Sequence, residues 1–438
     1  MRGGEFESKM YGLTRSRGSL VRPCEETPSG TLDLSAIDRL PALRCNARTL
    51  HVFGHGPDEA ARVIREGLSR ALVPYYPLAG RLKESSQGQL QIECRGEGVW
   101  LVEASADSTL DAVNYLDDVV SIPYDQLLPD HIPENEGIDP LVQMQVTQFA
   151  CGGIVIGLLF CHSICDGLGA AQFLNAVGEL AKGAEQLSTI PVWQRDFLPP
   201  PPEQVNVTAL VNPPPPPPMP NYRLEHANVD ITLDQINQLK REFEQSTGGQ
   251  KCSSFEIVAA KFWSCRTRAI NWKQNTELTL VFFANCRQLL DPPLPDGFYG
   301  NCFFPVTITA WSESLARASI SEVVGIIQEA KATLPTEFAK YTKVLKGELA
   351  KDGDDPFAPP LGYTTLFISE WGRLGFNQVD YGWGAPVHIV PIQGSSMIPV
   401  GIVGSLALPN KGVRLMTWCV EEAHRQPFLN QMMTVSQE

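Results

Sequence analysis

The 438-residue sequence has no apolar run approaching the ~18 to 20 residues that span a bilayer. Its longest candidate is the short stretch from Ile154 to Cys161, so no membrane insertion is expected and the chain reads as a soluble protein. Positive charge is also scarce. Lys and Arg number 35 against 49 Asp and Glu, and the net charge of -14 leaves nucleic acid and anionic lipid as unexpected partners. Charged residues make up only 19% and apolar residues 43%, a mix that excludes a largely disordered chain. Although there are 11 cysteines, no CxxC pair occurs. The thiols at Cys151, Cys161, Cys165, Cys286, Cys302 and Cys419 lie in apolar or strand-like surroundings, which fits buried free thiols in a reducing cytosol. A cytoplasmic location is therefore expected. The opening MRGGEFESKM lacks the apolar core of a signal peptide, and residues 1–9 read as an expression scar with the natural start at Met10.

At roughly 150 residues per domain the length predicts two or three domains. The segment from Asp58 to Leu72 places Ala61, Ile64, Leu68 and Leu72 at helical spacing, with Pro77 expected to end the helical stretch. Short strands are predicted at Leu90 to Cys94 and Val99 to Val102. Residues 142–150 and 153–161 flank a CGG turn as two antiparallel strands, and the second is apolar enough to be a central strand buried on both faces. A helix is predicted just after the DGLG that follows. Two proline runs between Leu198 and Pro220 read as a semi-rigid crossover strap, with recruitment of a polyproline-binding partner as the alternative. The second half repeats the mixed content. Helices are predicted at Leu233 to Phe243, Ser253 to Arg266, Val323 to Leu334 and from Glu421; strands fall at 278–284, 302–309, 364–368, 389–391, 400–406 and 413–418. The fold class is thus α/β, with domains at 10–190 and 226–438 joined by a crossover at 191–225. A short segment near 380–395 is a candidate to pack on the first domain.

Of seven histidines, six have ordinary surroundings near turns, loops or strand ends. His162 differs: it ends the apolar strand, precedes Asp166 by four residues, and lies beside Gly167 and Gly169, which let the backbone turn and approach a ligand. A core histidine satisfied by a backbone carbonyl is the competing reading. A lone HxxxD supplies too few ligands for zinc, so no metal is expected. No GxSxG nucleophile elbow occurs, and DGLGAAQ lacks the third glycine of a dinucleotide loop. Ser253 and Glu256 spell a capping box, S-x-x-E, at a helix start.

The pair HSICDG at 162–167 and DYGWG at 380–384 resembles the two signature motifs, HxxxD and DFGWG, of the plant BAHD family of acyl-CoA-dependent acyltransferases. YYPLAGRL at 75–82, ECRGEGVWLVEA at 93–104, DPPLPDGFYGN at 291–301 and SEWGRLGF at 369–376 also look like family blocks. Together they are most similar to grass-type hydroxycinnamoyl-CoA monolignol transferases and related alcohol acyltransferases. Tyr381 departs from the usual Phe but keeps the ring. The resemblance implies two chloramphenicol-acetyltransferase-like mixed-sheet domains with an active-site channel at their interface. It implies His162 as general base, taking a proton from an alcohol as the oxygen attacks a thioester. Asp166 would pair with Arg287 in an architectural role, although a simple helix cap remains compatible. Trp371, with Ser369 nearby, would donate to the oxyanion, against the alternative of a core tryptophan. Asp380, Gly382, Trp383 and Gly384 would serve fold integrity. Ser253, Ser254 and Lys251 would contact CoA, the first two without giving up the cap. The expected partners are acyl-CoA as co-substrate and a small alcohol, with no permanent cofactor and a monomeric state. A benzoyl- or acetyl-CoA transferase, and a non-catalytic binding protein of the same fold, are the alternatives.

Overall fold

A computed structural model of the chain describes residues 12–86, 88–117, 123–129, 139–199, 220–392 and 398–434. The expected scar at 1–9 and the crossover's proline runs within 200–219 lie outside the described residues.

Alternation of apolar and polar residues builds two mixed sheets. The first runs in the order β1 (Leu13–Arg15), β7 (Val99–Ala106), β8 (Val142–Phe149), β9 (Ile154–Cys161), β4 (Asn46–Phe53) and β14 (His388–Pro391), with β2 (Ser19–Val21) also on β7. Strand β9 pairs antiparallel with both β8 and β4, and its side chains are shared between two cores. Ile154, Ile156, Leu158 and Phe160 face one core and Val155 the other, which is why this strand is almost wholly apolar. The second sheet runs β10 (Glu225–Thr232), β16 (Gly412–Val420), β15 (Val400–Ser405), β13 (Thr365–Glu370), β11 (Glu277–Asn285) and β12 (Phe303–Trp311). A smaller sheet holds β3 (Gly30–Asp33), β6 (Leu90–Cys94) and β5 (Arg81–Glu84).

Helices back each large sheet. Against the first lie α1 (Ala60–Ala71) and α3 (Gly167–Ala181), after the one-turn α2 (Tyr124–Leu127). Against the second lie α4 (Leu233–Ser246), α5 (Ser254–Ile270), α6 (Ser312–Arg317), α7 (Ile320–Leu345) and α8 (Glu422–Met433). The two sheets meet through a third apolar cluster in which Leu50, Val52 and Val155 of the first pack with Ile402 and Met416 of the second. Strand β14 strengthens this junction. It leaves the carboxy-terminal half to pair antiparallel with β4, Ile389 opposite His51.

Several boundaries differ from expectation. Helix α1 stops at Ala71, and Pro77 sits instead in a short 3₁₀ turn, Tyr76–Ala79. Helix α3 begins at Gly167 because Asp166 caps it, accepting from the Gly169 N–H at 3.0 Å. Helix α7 runs through Pro335 to Leu345, because Phe338 and Thr342 beyond the proline are buried and tertiary packing outweighs the lost backbone bond. Cys151, expected to be buried, is exposed on the β8–β9 turn; none of the cysteines is disulfide-bonded. Among the described residues no helix is long and apolar enough to cross a membrane.

Candidate functional site

Strand β9 ends at Cys161 and α3 starts at Gly167, so the HSICD loop is a five-residue turn between two fixed elements. Its backbone is tied down almost residue by residue. The His162 N–H donates to the Cys45 carbonyl at 2.9 Å, and the His162 carbonyl accepts from Asn301 Nδ2 at 2.8 Å. Ser163 Oγ donates to the Leu43 carbonyl at 2.9 Å, and the Ile164 carbonyl accepts from Arg195 Nη2 at 2.7 Å. Asp166 closes the loop with a bidentate pair to Arg287, both oxygens lying 2.8 Å from the guanidinium nitrogens. The same carboxylate caps α3, so the ion pair and the cap are simultaneous. Burial alone would pull the Arg287 guanidinium down, but the charge and hydrogen bonds of Asp166 outweigh it and hold it further up.

The imidazole of His162 is treated differently from its backbone. Nδ1 is buried with no hydrogen-bond partner among the described residues, and the half-buried ring makes no hydrogen bond to them through Nε2 either. Among the described residues no carboxylate hydrogen-bonds the ring, unlike a hydrolase triad. Among the described residues its ring neighbour is Phe303, 6.3 Å away and steeply inclined. Phe303 in turn meets Phe283 at 5.3 Å, and Phe283 is 48% exposed. The β11–β12 register sets Phe283 opposite Pro305 and Asn285 opposite Phe303, so Phe283 and Phe303 share one face of the sheet. Phe282 faces the helices from the other side. The His162 imidazole therefore stands beside an aromatic wall that ends in an exposed phenyl ring.

The space that a Cβ would take on the two glycines after Asp166 is occupied by the protein itself. A Cβ on Gly167 would fall 2.6 Å from Leu374 Cδ1, and one on Gly169 would fall 1.9 Å from the Tyr299 carbonyl oxygen. Protein fills both positions. Trp371 follows β13 and packs partly buried between two apolar clusters, its indole N–H donating to Ser369 Oγ at 3.1 Å. Trp371 and Ser369 are thus brought together, with the hydroxyl exposed. A cavity of about 280 Å³ lies between α3 and the segment after Trp371, lined in part by Leu168, Gln172, Asn175, Leu374 and Gln378. His162 does not line it.

The DYGWG loop sits over the first core. Asp380 Oδ1 accepts from the Gly382 and Gly384 N–H groups at 2.8 Å each, and Oδ2 meets Lys182 Nζ at 3.1 Å. Burial raises the Asp380 carboxyl, but those N–H groups and Lys182 together hold it below the usual value. Gly382 and Gly384 take φ of 114° and 93°, which side chains of L residues rarely adopt. Tyr381 is buried against Phe53 and Trp383. Far from this loop in sequence, Ser253 caps α5 in a reciprocal capping box with Glu256, which also bonds Gln328 and Lys331. Ser254 is the first residue of that helix. Lys251 is largely exposed and paired with Glu244, so an incoming phosphate would compete with that carboxylate. Among the described residues no group of three or more His, Cys, Asp or Glu could hold a metal.

Sequence reasoning missed Asp38, Arg195 and Asn301, which anchor the His162 loop from below. Asp38 and Arg195 carry no local motif, and Asn301 was seen only as the end of the DPPLPDGFYGN block.

The chain matches the model of the Transferase family over residues 12–417. It is 41% identical to Acyl transferase 4 of Oryza sativa subsp. japonica over 442 residues, covering 95% of this chain and 98% of that protein. Identity to the myricetin 3-O-glucosyl 1,2-rhamnoside 6'-O-caffeoyltransferase AT2 of Crocosmia x crocosmiiflora is 38%, over 96% of this chain and 99% of the relative. Among solved structures it resembles F. sporotrichioides TRI101 complexed with coenzyme A and T-2. That TM-score is 0.73 at 14% identity, covering 91% of this chain and 97% of the other.

Proposed function

The chain belongs to the plant BAHD acyltransferases, enzymes that transfer groups other than aminoacyl groups, and on that premise we propose that it moves an aromatic acyl group from coenzyme A to an alcohol. The acyl group is p-coumaroyl or another hydroxycinnamoyl and the acceptor an alcohol such as a monolignol. The observation that carries this reading is the His162 imidazole, without a hydrogen-bond partner among the described residues, beside the Phe303–Phe283 wall, whose outer ring is exposed to meet an aromatic group. The Crocosmia relative, a caffeoyltransferase, supports the hydroxycinnamoyl choice.

In this reading His162 takes the proton of the acceptor hydroxyl through Nε2 as that oxygen attacks the thioester carbon. The tetrahedral intermediate collapses, the C–S bond breaks, and the imidazolium returns the proton to the departing thiolate, giving ester and free CoA. The oxyanion is met by the Trp371 N–H, which exchanges its bond to Ser369 Oγ for the charged oxygen, with the freed hydroxyl beside it. Acyl-CoA is a co-substrate and no permanently bound cofactor takes part; Ser253, Ser254 and Lys251 lie at the helix end proposed to contact CoA. The enzyme acts as a monomer in the cytosol, where its free thiols stay reduced.

Purified protein and its His162→Ala variant, incubated with a panel of acyl-CoAs and alcohols and read by mass spectrometry, test the proposal. We expect p-coumaroyl esters from the wild type and a rate lower by ~10² to 10⁴ in the variant, with little change in melting temperature. Turnover of benzoyl- or acetyl-CoA alone would move the donor class, and activity of the variant within a few-fold of wild type would remove His162 from the mechanism. No turnover across the panel would favour the binding-protein reading.

A further inference from the structure

The His162 loop rests on two buried ion pairs, and only one of them involves the HxxxD aspartate. The other joins Asp38, with no exposed side-chain area, to Arg195, whose side chain is 2% exposed. Asp38 Oδ2 accepts from the Ser35 N–H and hydroxyl, and Oδ1 accepts from the Asn301 N–H at 3.2 Å and from Asn301 Nδ2 at 2.8 Å. Asn301 Nδ2 also reaches the His162 carbonyl at 2.8 Å, while Arg195 Nη2 reaches the Ile164 carbonyl at 2.7 Å. Arg195 is clamped between the Trp193 and Phe298 rings, 4.3 and 5.2 Å from their centroids. Gly300 makes the approach possible, since a Cβ there would lie 1.3 Å from Arg195 Nη1.

We propose that Asp38, Arg195 and Asn301 form a positioning unit that fixes the main chain of His162 and so sets where its Nε2 is presented. The inference rests on the reading of His162 as the base. Among the described residues the ring has no hydrogen-bonded orienter of its own, so its location follows from its backbone and from its packing beside Phe303. Asparagine suits the post because one short amide supplies two N–H donors, spent on Asp38 and on the His162 carbonyl. Aspartate would supply neither. Arg195 comes from the 3₁₀ turn Arg195–Phe197, which ties the start of the crossover to the base.

Asn301→Ala tests the unit while sparing the Asp38–Arg195 pair and the Asn301 backbone bond. Misplacing a reacting group by about 1 Å can cost ~10²-fold, so we expect kcat to fall by ~10 to 100-fold with KM for acyl-CoA within about two-fold. Asn301→Ser, which keeps one donor, should recover part of that loss, and it carries the same test if the alanine variant does not fold. The deciding measurement is the double variant. In a His162→Ala background, Asn301→Ala should change the residual single-turnover rate by less than about two-fold, because the unit acts only through His162. An equal fold-loss in both backgrounds would make Asn301 merely structural and overturn the inference, as would wild-type kcat in Asn301→Ala. Retained activity in His162→Ala alone would instead sink the base reading, so the two failures are distinguishable.

Discussion

Asp166→Ala removes an ion-pair partner and a helix cap in one substitution, and the structure sets the size of the effect. The Asp166 and Arg287 side chains are 12% and 10% exposed, so water cannot take the place of the carboxylate. What Arg287 keeps are neutral acceptors: the Gly300 carbonyl at 2.6 Å, Asn285 Oδ1 at 3.2 Å and the Phe298 carbonyl at 3.4 Å. These satisfy its N–H groups without cancelling its charge. Breaking a buried pair by deleting one partner costs ~3 to 5 kcal/mol. The lost cap costs ~1 kcal/mol, and the two do not simply add because one carboxylate serves both. At ~2 to 4 °C per kcal/mol for a domain of 150 to 250 residues, the melting temperature should fall on the order of 10 °C. Circular dichroism during heating reads this directly, with kcat measured on the same preparation. Asp166→Asn combined with Arg287→Met removes both charges and keeps an oxygen for the Gly169 N–H, so it should recover at least half of the lost melting temperature. A stable but inactive Asp166→Ala variant would refute the architectural role and bring Asp166 into the chemistry.

Trp371→Phe deletes the indole N–H and keeps most of the ring. If Trp371 meets the oxyanion, kcat should drop by ~10² to 10³ with KM nearly unchanged in steady-state assays. Wild-type kcat would leave the oxyanion to Ser369 or a backbone amide. His51, fully buried beside Thr49 and Phe376, has its imidazole pulled down to about 4 by burial, from an ordinary 6.5. Below pH 6.5 the unfolded chain takes up a proton that the folded chain refuses, so stability falls as pH drops from 6.5 toward 4, by up to about 3 kcal/mol. Denaturant titrations should show His51→Gln flattening that slope, and an unchanged slope would discard the assignment.

What could be read in advance follows the range of the interactions. Strand β9 announced itself because burial on both faces leaves an unbroken apolar run, and α5 because a capping box is complete within four residues. Strand β4 was not anticipated: its first residues, Asn46 to Thr49, are mostly polar, and its pairing with β9 and β14 involves residues more than a hundred positions away. His51 was consequently read as ordinary, although it sits in the core. The continuation of α7 past Pro335 was hidden for a related reason, since only its packing through Phe338 makes the helix worth keeping. Asp166 with Arg287 was reachable through family resemblance and not through spacing. Asp38, Arg195 and Asn301 meet only in three dimensions, and no pattern along the chain joins them.

The position of the proposed base is therefore a tertiary product. Cys45 and Leu43 hold the His162 loop from the amino-terminal sheet's side of the chain, while Asn301 and Arg287 reach it from the segments flanking β12 and following β11. The segment from Phe298 to Asn301 passes between two buried arginines, Arg195 and Arg287, whose guanidinium carbons lie 5.2 and 5.4 Å from the Phe298 ring. Each arginine is neutralised by an aspartate from the amino-terminal side, Asp38 or Asp166. Asp166–Arg287 bridges the two halves and Asp38–Arg195 ties the first half to the crossover; both compensated pairs cost desolvation that apolar contacts would not, and their return is geometric: bidentate and chelated hydrogen bonds admit few alternative registers. Apolar packing of Ile402 and Met416 against Leu50 and Val52 can hold the sheets together, but it tolerates small slides that a general base cannot. The paired charges narrow the positions that the His162 loop can take, which is what the proposed proton transfer would need.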